Sequence, residues 1–310
     1  MTIELEIADI DIGSHGEVVT SRDDIALIDA DTLVFASCLH CEEKVNLLGR
    51  DFYTDIEWEE LLVDPTYDKE EHAVYVINME YAFNYSQEKL NTILENTGCK
   101  DFELHFTSGR ESFRYTKVDK EYKANRTQDS SKRAPTGLTK LKEMWVEKHP
   151  DKAFIWREWE ADDIVVCKKL KDPGKYLLVA LDKDVLYSIE GTHFNYYSSS
   201  HYNIDMKFYD VDAETAMKHP YIQTLTGDPG DGVYGLKGVG AKTAEKILAS
   251  CTTPQQCWET VIREYESRGM LKNGKLANVV DAITNMRLVN MNQLIWENEE
   301  WQVKLWKPAK

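Results

Sequence analysis

No apolar run in this 310-residue chain approaches the roughly 18 residues of a membrane span. Glu4, Glu6, Asp9 and Asp11 precede the first basic residue, so the basic start of a signal peptide is missing. Cysteine is sparse. The six residues at 38, 41, 99, 167, 251 and 257 are too few for a disulfide scaffold in a chain this long, and a reducing cytoplasm is expected. Cys38-Leu-His-Cys41 has zinc-knuckle spacing, but no second pair matches it, and thiols on a core helix are the simpler reading. Positive charge is also in deficit. Against 54 acidic residues stand 37 basic ones, a net charge of −17, which taken alone disfavours a polyanionic partner.

Two features of what is present reverse that inference. Carboxylates that hold cations are neutralised by them. The basic residues are also concentrated: Lys117, Lys120, Lys123, Arg126, Lys132, Arg133, Lys140 and Lys142 share one segment, opposed by Asp119, Glu121 and Asp129. Local field rather than net charge decides where a phosphate backbone lands.

The carboxylates themselves gather at four places beside apolar runs. These are Asp29 and Asp31, then Glu160, Asp162 and Asp163, then Asp182 and Asp184, and finally Asp228 and Asp231. Any single cluster is as easily a helix start or a surface turn, because acids favour both. Jointly they imply cation binding, since like charges held close repel unless neutralised. An oxygen-only donor set suits Mg²⁺ or Mn²⁺. The chemistry implied is hydrolysis of a phosphodiester.

Along the chain, residues 1–24 form a polar lead. Ile25–Ile28 reads as a first strand and Thr32–Leu39 as its helix. Residues 42–71 read as an irregular acidic insertion, and Ala73–Ile77 as part of the helix over Glu80–Leu94. Phe102–Phe106 is a second strand. The polar, basic stretch 108–137 is an arch or other functional loop. Leu138–Lys148 is a helix, Ala153–Trp156 a strand and Asp162–Leu170 a helix. Tyr176–Leu181 is a buried strand, with weaker strands at His193–Tyr197 and Met206–Tyr209. This alternation predicts an α/β fold with a mostly parallel central sheet flanked by helices over 25–211. Three of the acidic clusters fall at carboxyl ends of strands, where such sheets bind ligands.

From 212 to 310 helices and glycine turns take over, with Asp212 capping a helix over Ala213–Leu225. Gly235-Leu-Lys-Gly-Val-Gly240 followed by Ala-Lys-Thr-Ala-Glu-Lys has the form of a helix–hairpin–helix turn. Its glycines allow close approach of a phosphate to backbone amides. Lys242 and Lys246 share one helical face. In Tyr122-Lys-Ala-Asn-Arg126 a ring is available to stack on an unpaired base beside two cations. Trp296, Trp301 and Trp306 are expected to pack the helical appendage.

These motifs, in this order, resemble the flap-endonuclease superfamily of 5′ nucleases. The nearest look is to bacteriophage 5′→3′ exonucleases and the 5′-nuclease domain of DNA polymerase I. The matching elements are Ile28-Asp-Ala-Asp31, Tyr122-Lys-Ala-Asn-Arg126, Glu160-Ala-Asp-Asp163, Asp182-Lys-Asp184 and Gly227-Asp-Pro-Gly-Asp-Gly232 leading to the glycine hairpin, over about residues 25–248. Met286-Arg-Leu-Val-Asn290 and Leu305-Trp-Lys-Pro308 extend the likeness more weakly. The resemblance implies a PIN-like nuclease core with two divalent-cation sites. Asp29, Glu160 and Asp162 would hold the first cation. Asp163, Asp182, Asp184, Asp228 and Asp231 would form or support the second. Lys123 and Arg126 would grip the scissile phosphate, with Tyr122 near the terminal base. Gly235, Lys237, Gly238, Gly240, Lys242, Thr243 and Lys246 would bind duplex backbone, with K⁺ in the turn.

The implied partners are duplex DNA ends, nicks and flaps, and RNA·DNA hybrids. The implied protein is a monomer in the cytoplasm, that of the host cell if phage-encoded. Two departures stand out. Thr107, Ser108 and Gly109 follow the second strand where the family carries Asp, so the first cation should bind more weakly or enlist Asp31. Gly232 replaces a common Asn. A structure-specific DNA-binding protein with weakened catalysis and a PIN-type endoribonuclease are the alternatives.

Overall fold

The parity of side chains along β1 (Arg22–Asp29) decides what lies on either side of it. Ala26 and Ile28 point into one apolar layer and Leu27 into another, as the two-residue period of a strand requires. In the computed structural model, which describes residues 21–48, 60–64, 68–127, 133–197 and 206–308, β1 is the central strand. It is followed by α1 (Asp31–Cys41), β2 (Glu42–Asn46), β3 (Leu61–Val63), β4 (Ala73–Asn78), α2 (Met79–Thr97) and β5 (Cys99–Thr107). Then come α3 (Leu138–Lys148), β6 (Ala153–Trp156), α4 (Ala161–Lys171), β7 (Tyr176–Val179), α5 (Lys183–Leu186), β8 (Gly191–Asn195) and β9 (Lys207–Val211).

The six-stranded sheet runs β6-β5-β1-β7-β8-β9. All neighbours are parallel except β9, which pairs antiparallel with β8. One face is covered by α1, α2 and α3 through Leu33, Val34, Phe83, Leu90, Leu141 and Trp145. The other is covered by α4 and α5 through Val165, Val166, Val185 and Leu186. The chain moves outward from β1 through β5 to β6, then returns to β7 on the opposite side. The order therefore reverses between β1 and β7, and such a switch point opens a crevice at the strands' carboxyl ends. Register aligns those ends: Ile28 pairs with both Leu104 and Val179, so Asp29 and the turn after β7 emerge at one edge.

The predicted α/β class and mostly parallel sheet are what the structure contains. Several boundaries differ. β1 begins at Arg22, so the polar lead is shorter than 1–24, and residues 1–20 lie outside the described ones. Ala73–Ile77 is strand rather than helix. Val76 and Ile77 are buried there, and β4 forms the middle of an antiparallel sheet of order β2-β4-β3. That sheet occupies part of the stretch read as an irregular insertion, because pairing with β4 supplies order that the acidic sequence of β2 does not advertise. Cys38 and Cys41 are buried thiols on α1, and all six cysteines are free. Among the described residues no helix is long and apolar enough to cross a membrane.

After β9, Asp212 accepts a hydrogen bond from Thr215 N at 2.7 Å and starts α6 (Ala213–Thr226). A tight connection follows through β10 (Gly227–Asp228) and β11 (Val233–Tyr234) to α7 (Ala241–Leu248), α8 (Pro254–Arg268) and α9 (Val279–Val289). These helices share a core that includes Leu225, Leu236, Val261, Tyr265 and Met286. The C-terminus is not wholly helical. β12 (Leu294–Glu297) and β13 (Glu300–Val303) form a hairpin, and Trp301 packs with Phe113, Ile164 and Cys167 on the far side of α4. Trp306 does pack the helices, against Trp258 at 4.6 Å, whereas Trp296 is exposed. The tryptophan expectation therefore holds for Trp306 alone.

Gly227 and Gly235 are forced by a backbone crossing. A Cβ on Gly235 would sit 2.2 Å from Thr226 C, and one on Gly227 would sit 2.1 Å from Gly235 N. Gly238 differs: its φ is +78°, but no atom lies within 4 Å of a Cβ placed there. Gly235→Ala should therefore lower the thermal midpoint far more than Gly238→Ala, whose penalty is the left-handed backbone alone, about 1–2 kcal/mol. Equal midpoints for the two variants in thermal melts would contradict the crossing.

Candidate metal centre

Each carboxylate reaches the sheet edge for a local reason. Asp29 is the last residue of β1. Glu160 precedes α4 with extended backbone and Asp162 occupies its first turn; the Ala161 amide is held by Thr107 Oγ1 at 2.9 Å. Asp182 caps α5, accepting from Asp184 N at 2.8 Å. Asp228 accepts from Gly230 N at 3.0 Å and so shapes the turn that presents Asp231. Asp29, Glu160, Asp162, Asp182, Asp184, Asp228 and Asp231 all line one cavity of about 180 Å³, which Asp31, Tyr122 and Lys123 also face. Seven of the eight expected cation-holding residues thus meet in one place.

The eighth, Asp163, has other surroundings. It is fully buried and receives both terminal nitrogens of Arg114, with Nη2 to Oδ1 at 2.7 Å and Nη1 bonded to Oδ2. Arg114 Nη1 also reaches Glu160 Oε2 at 3.1 Å, and Nε donates to Leu288 O at 2.6 Å. One carboxylate oxygen each from Glu160, Asp162 and Asp163 lies within 4.8 Å of the others, a spacing a cation can bridge. For Asp163 the guanidinium outweighs that spacing. A two-point, charge-assisted contact already uses its oxygens, and a cation there would sit against a fixed positive charge.

Tyr122 and Lys123 also differ from expectation. The Tyr122 ring is buried with Val233, Leu288 and Val289, so it does not stack on a base. Its hydroxyl has one proton to give and lies 3.1 Å from both Glu160 Oε2 and Asp231 Oδ2, either of which can accept it. Lys123 Nζ lies 2.8 Å from Glu160 Oε1 and 3.7 Å from Asp231 Oδ2. Gly232, at φ +76°, lets this strap close down: a Cβ there would lie 3.2 Å from Glu121 O. The backbone of Arg126 belongs to a short 3₁₀ turn, and its side chain lies outside the described residues.

The basic arch is partly spent on internal pairs. Arg133 contacts Glu42 at 2.6 Å and Asp64 at 3.3 Å, while Lys142 contacts Asp31 at 2.6 Å. Lys117, Lys120 and Lys140 are exposed, and Lys132 is outside the described residues. Asp31 is therefore engaged at the end of β5, where Thr107 stands in place of the expected carboxylate. It also accepts from Thr107 N at 3.1 Å, and Lys142 Nζ reaches Thr107 O at 2.7 Å. Of the hairpin residues, Lys237, Gly238, Gly240, Lys242 and Lys246 are exposed and Thr243 is half-buried. Gly235 is buried in the chain crossing, so it faces no phosphate.

Crowding shows in the proton affinities. Burial first, then the Asp31 and Asp182 charges, push Asp29 up to about 7. Burial and then Glu160 push Asp162 up to about 7. Desolvation and then Asp184 raise Asp182 to about 7, although part of its surface is open to solvent and screened accordingly. Glu160 goes the other way: burial opposes its charge, but Lys123 and Arg114 prevail and hold it at about 2. All eight cavity carboxylates offer only oxygen, which fits hard divalent cations.

Sequence reasoning missed Arg114, Lys142 as a partner of Asp31, and two α6 residues, His219 and Gln223. Gln223 lines the cavity, and His219 Nε2 lies 3.5 Å from Asp184 Oδ1. A buried arginine carries no sequence signature. Polar residues four apart on the helix leading into Gly227-Asp228 were a usable signal.

No family model matches the chain. It is similar to DNA polymerase I of Caldicellulosiruptor bescii, 26% identical over 164 residues, which is 46% of this chain and 19% of that protein's length. Among solved structures it is similar to the flap endonuclease of bacteriophage T5, in a pseudo-enzyme–product complex with DNA and metal ions. The TM-score is 0.46 at 17% identity, covering 67% of this chain and 80% of that one. It is also similar to the catalytic core of Rad2 in complex with DNA substrate, with a TM-score of 0.41 at 14% identity, covering 90% of this chain and 76% of that one.

Two outcomes follow from the electrostatics. Arg114→Met leaves Asp163 buried without its partner and should destabilise the fold by about 3–5 kcal/mol in urea unfolding, with part of the loss recovered on adding Asp163→Leu. For pH, a carboxyl raised on folding lends stability that is complete below its unfolded value near 3.8 and disappears as pH climbs through about 7. Glu160, being depressed, lends stability above 4.5 that is lost only as pH falls through about 2. Between pH 5 and 8 these three dominate together with Asp163, which burial pushes up to about 8 against the opposing Arg114 charge and whose contribution is lost in the same direction. The EDTA-treated protein should melt at a lower temperature at pH 8 than at pH 5, and Mg²⁺ should raise the midpoint more at pH 8. Calorimetric scans check both.

Proposed function

We propose that this protein is a divalent-metal-dependent 5′ nuclease acting on DNA, hydrolysing phosphodiester bonds at duplex ends, nicks and flaps. One observation carries the reading: eight carboxylates from four separate stretches of chain converge on a single cleft with a lysine across it. Asp29, Glu160 and Asp162 would hold one cation, and Asp182, Asp184, Asp228 and Asp231 a second, with Mg²⁺ or Mn²⁺ as the fitting ions. Bound there, such cations supply a water of lowered pKa and charge stabilisation for the phosphate oxygens.

The chain's own residues do the rest. Lys123 offers the cleft's mobile positive charge. Its pairing with Glu160 keeps it poised, and an incoming phosphate competes for the same ammonium. Tyr122 and Arg114 fix Glu160 so that its Oε2 is held from two directions. The exposed lysines and glycines around 237–246 would bind duplex backbone, with K⁺ in the turn, which assigns 25–211 to cleavage and 212–310 mainly to duplex binding. Action on RNA·DNA hybrids and a monomeric state belong to the same reading.

A second reading rests on Thr107. With no carboxylate after β5, and with Asp31 held by Lys142, the first cation has fewer ligands, and the protein would be a structure-specific DNA binder with weak turnover.

A 5′-end-labelled nicked or flap-bearing duplex, incubated with and without Mg²⁺, separates the two. The nuclease reading expects a metal-dependent product ladder that Asp184→Ala abolishes while DNA binding persists. Tight duplex binding with no product at any Mg²⁺ or Mn²⁺ concentration favours the second.

A further inference from the structure

Two buried polar atoms on α6 lack a hydrogen bond among the described residues, one lining the cleft and the other beside its carboxylate Asp184. His219 and Gln223 are four residues apart, so they lie one above the other on one helical face. Gln223 is 9% exposed and lines the cavity, and its Oε1 accepts no hydrogen bond among the described residues. His219 Nε2 is likewise buried without a hydrogen bond, although Asp184 Oδ1 lies only 3.5 Å away. The His219 ring is held in place by Tyr187, its centroid 5.9 Å from the tyrosine ring, at the end of the short helix that carries Asp184.

Leaving a buried acceptor unsatisfied is unfavourable, so its surroundings indicate what would satisfy it. Asp182, Asp184, Asp228 and Asp231 line the same cavity as Gln223, and in their ionised forms they only accept. The cleft's donors are directed elsewhere: Tyr122 Oη to Glu160 or Asp231, and Lys123 Nζ to Glu160. An acceptor set among acceptors is completed by a cation, or by a water whose protons point away from one.

We propose that α6 completes the cation site on the Asp182–Asp184 side. Gln223 Oε1 serves as a neutral oxygen ligand, directly or through a bound water, and His219 is a positioning residue whose Nε2–H steadies Asp184. The proposal rests on the cleft being a cation site. A neutral ligand raises the oxygen count without adding another negative charge to a cavity already crowded with them. A histidine donor restricts the rotation of the carboxylate beside it, as outer partners of metal ligands do.

The test is Mn²⁺ binding by the metal-free full-length protein, read by titration calorimetry and by the paramagnetic resonance signal of free Mn²⁺, with thermal melts of every variant. Gln223→Leu and His219→Phe should each weaken one Mn²⁺ site about ten-fold or more. Gln223→Glu, which keeps an oxygen, should bind at least as tightly as wild type. His219→Gln, which keeps an N–H near the same place, should recover most of the loss. These two conservative variants keep the test decisive if an apolar one fails to fold. Wild-type affinity in Gln223→Leu overturns the proposal, and so does a Gln223→Glu variant as weak as the leucine one, because the amide would then be serving as a donor to the aspartates. If Asp184→Asn loses a Mn²⁺ ion while the α6 variants do not, the cation reading stands and the role of α6 falls. A wild-type protein that binds no Mn²⁺ overturns both.

Discussion

Mutual repulsion among carboxylates is the constraint around which this molecule is arranged. Eight of them face one cavity of about 180 Å³, and burial first, then the neighbouring negative charges, raise the proton affinities of Asp29, Asp162 and Asp182. The fold opposes that repulsion from the outside. β1 and β7 are locked in register by the sheet, so Asp29 and the Asp182 turn cannot drift apart. The remaining strain is absorbed by cations of the protein itself: Lys123 beside Glu160, Lys142 beside Asp31 and Arg114 beneath Asp163.

Arg114 links the two halves of the chain. Its guanidinium holds Asp163 and Glu160 of the α/β part, while its Nε donates to Leu288 O at the end of α9. A fully buried arginine is tolerable only because every face of the group meets a carboxylate, a carbonyl or an aromatic ring. The consequence is mechanical. The position of Glu160 depends on where the C-terminal helices sit, and the Tyr122 strap, packed on Leu288 and Val289, feels the same displacement. The C-terminal hairpin adds a third tie, with Trp301 resting on α4.

Replacing the expected carboxylate by Thr107 changes more than a ligand count. Thr107 Oγ1 caps the Ala161 amide and so sets the start of α4, while its backbone amide binds Asp31. Asp31, at the edge of the sheet beside β5, is thereby braced and paired with Lys142. On α6, Gln223 lines the same cavity and His219 lies 3.5 Å from Asp184.

Strand and helix order was legible because β1, β6 and β7 are apolar runs ending in acids, and α3 and β6 were read to the residue. Antiparallel strands β2 to β4 were not, since β2 is largely charged, β3 is three residues long, and the apolar run of β4 leads directly into α2. The cleft's carboxylates were legible as a set: strand-end position and spacing are properties of the chain itself, and repulsion supplies the reason for reading them together. Which group each one faces was not. The burial of Tyr122, the commitment of Asp163 to Arg114 and the contact of Lys142 with Asp31 all join residues tens of positions apart, and hydrogen-bond partners at that distance are chosen by packing. Linear order determined the chemistry this protein can attempt, and three-dimensional packing decided which charges are left free to attempt it.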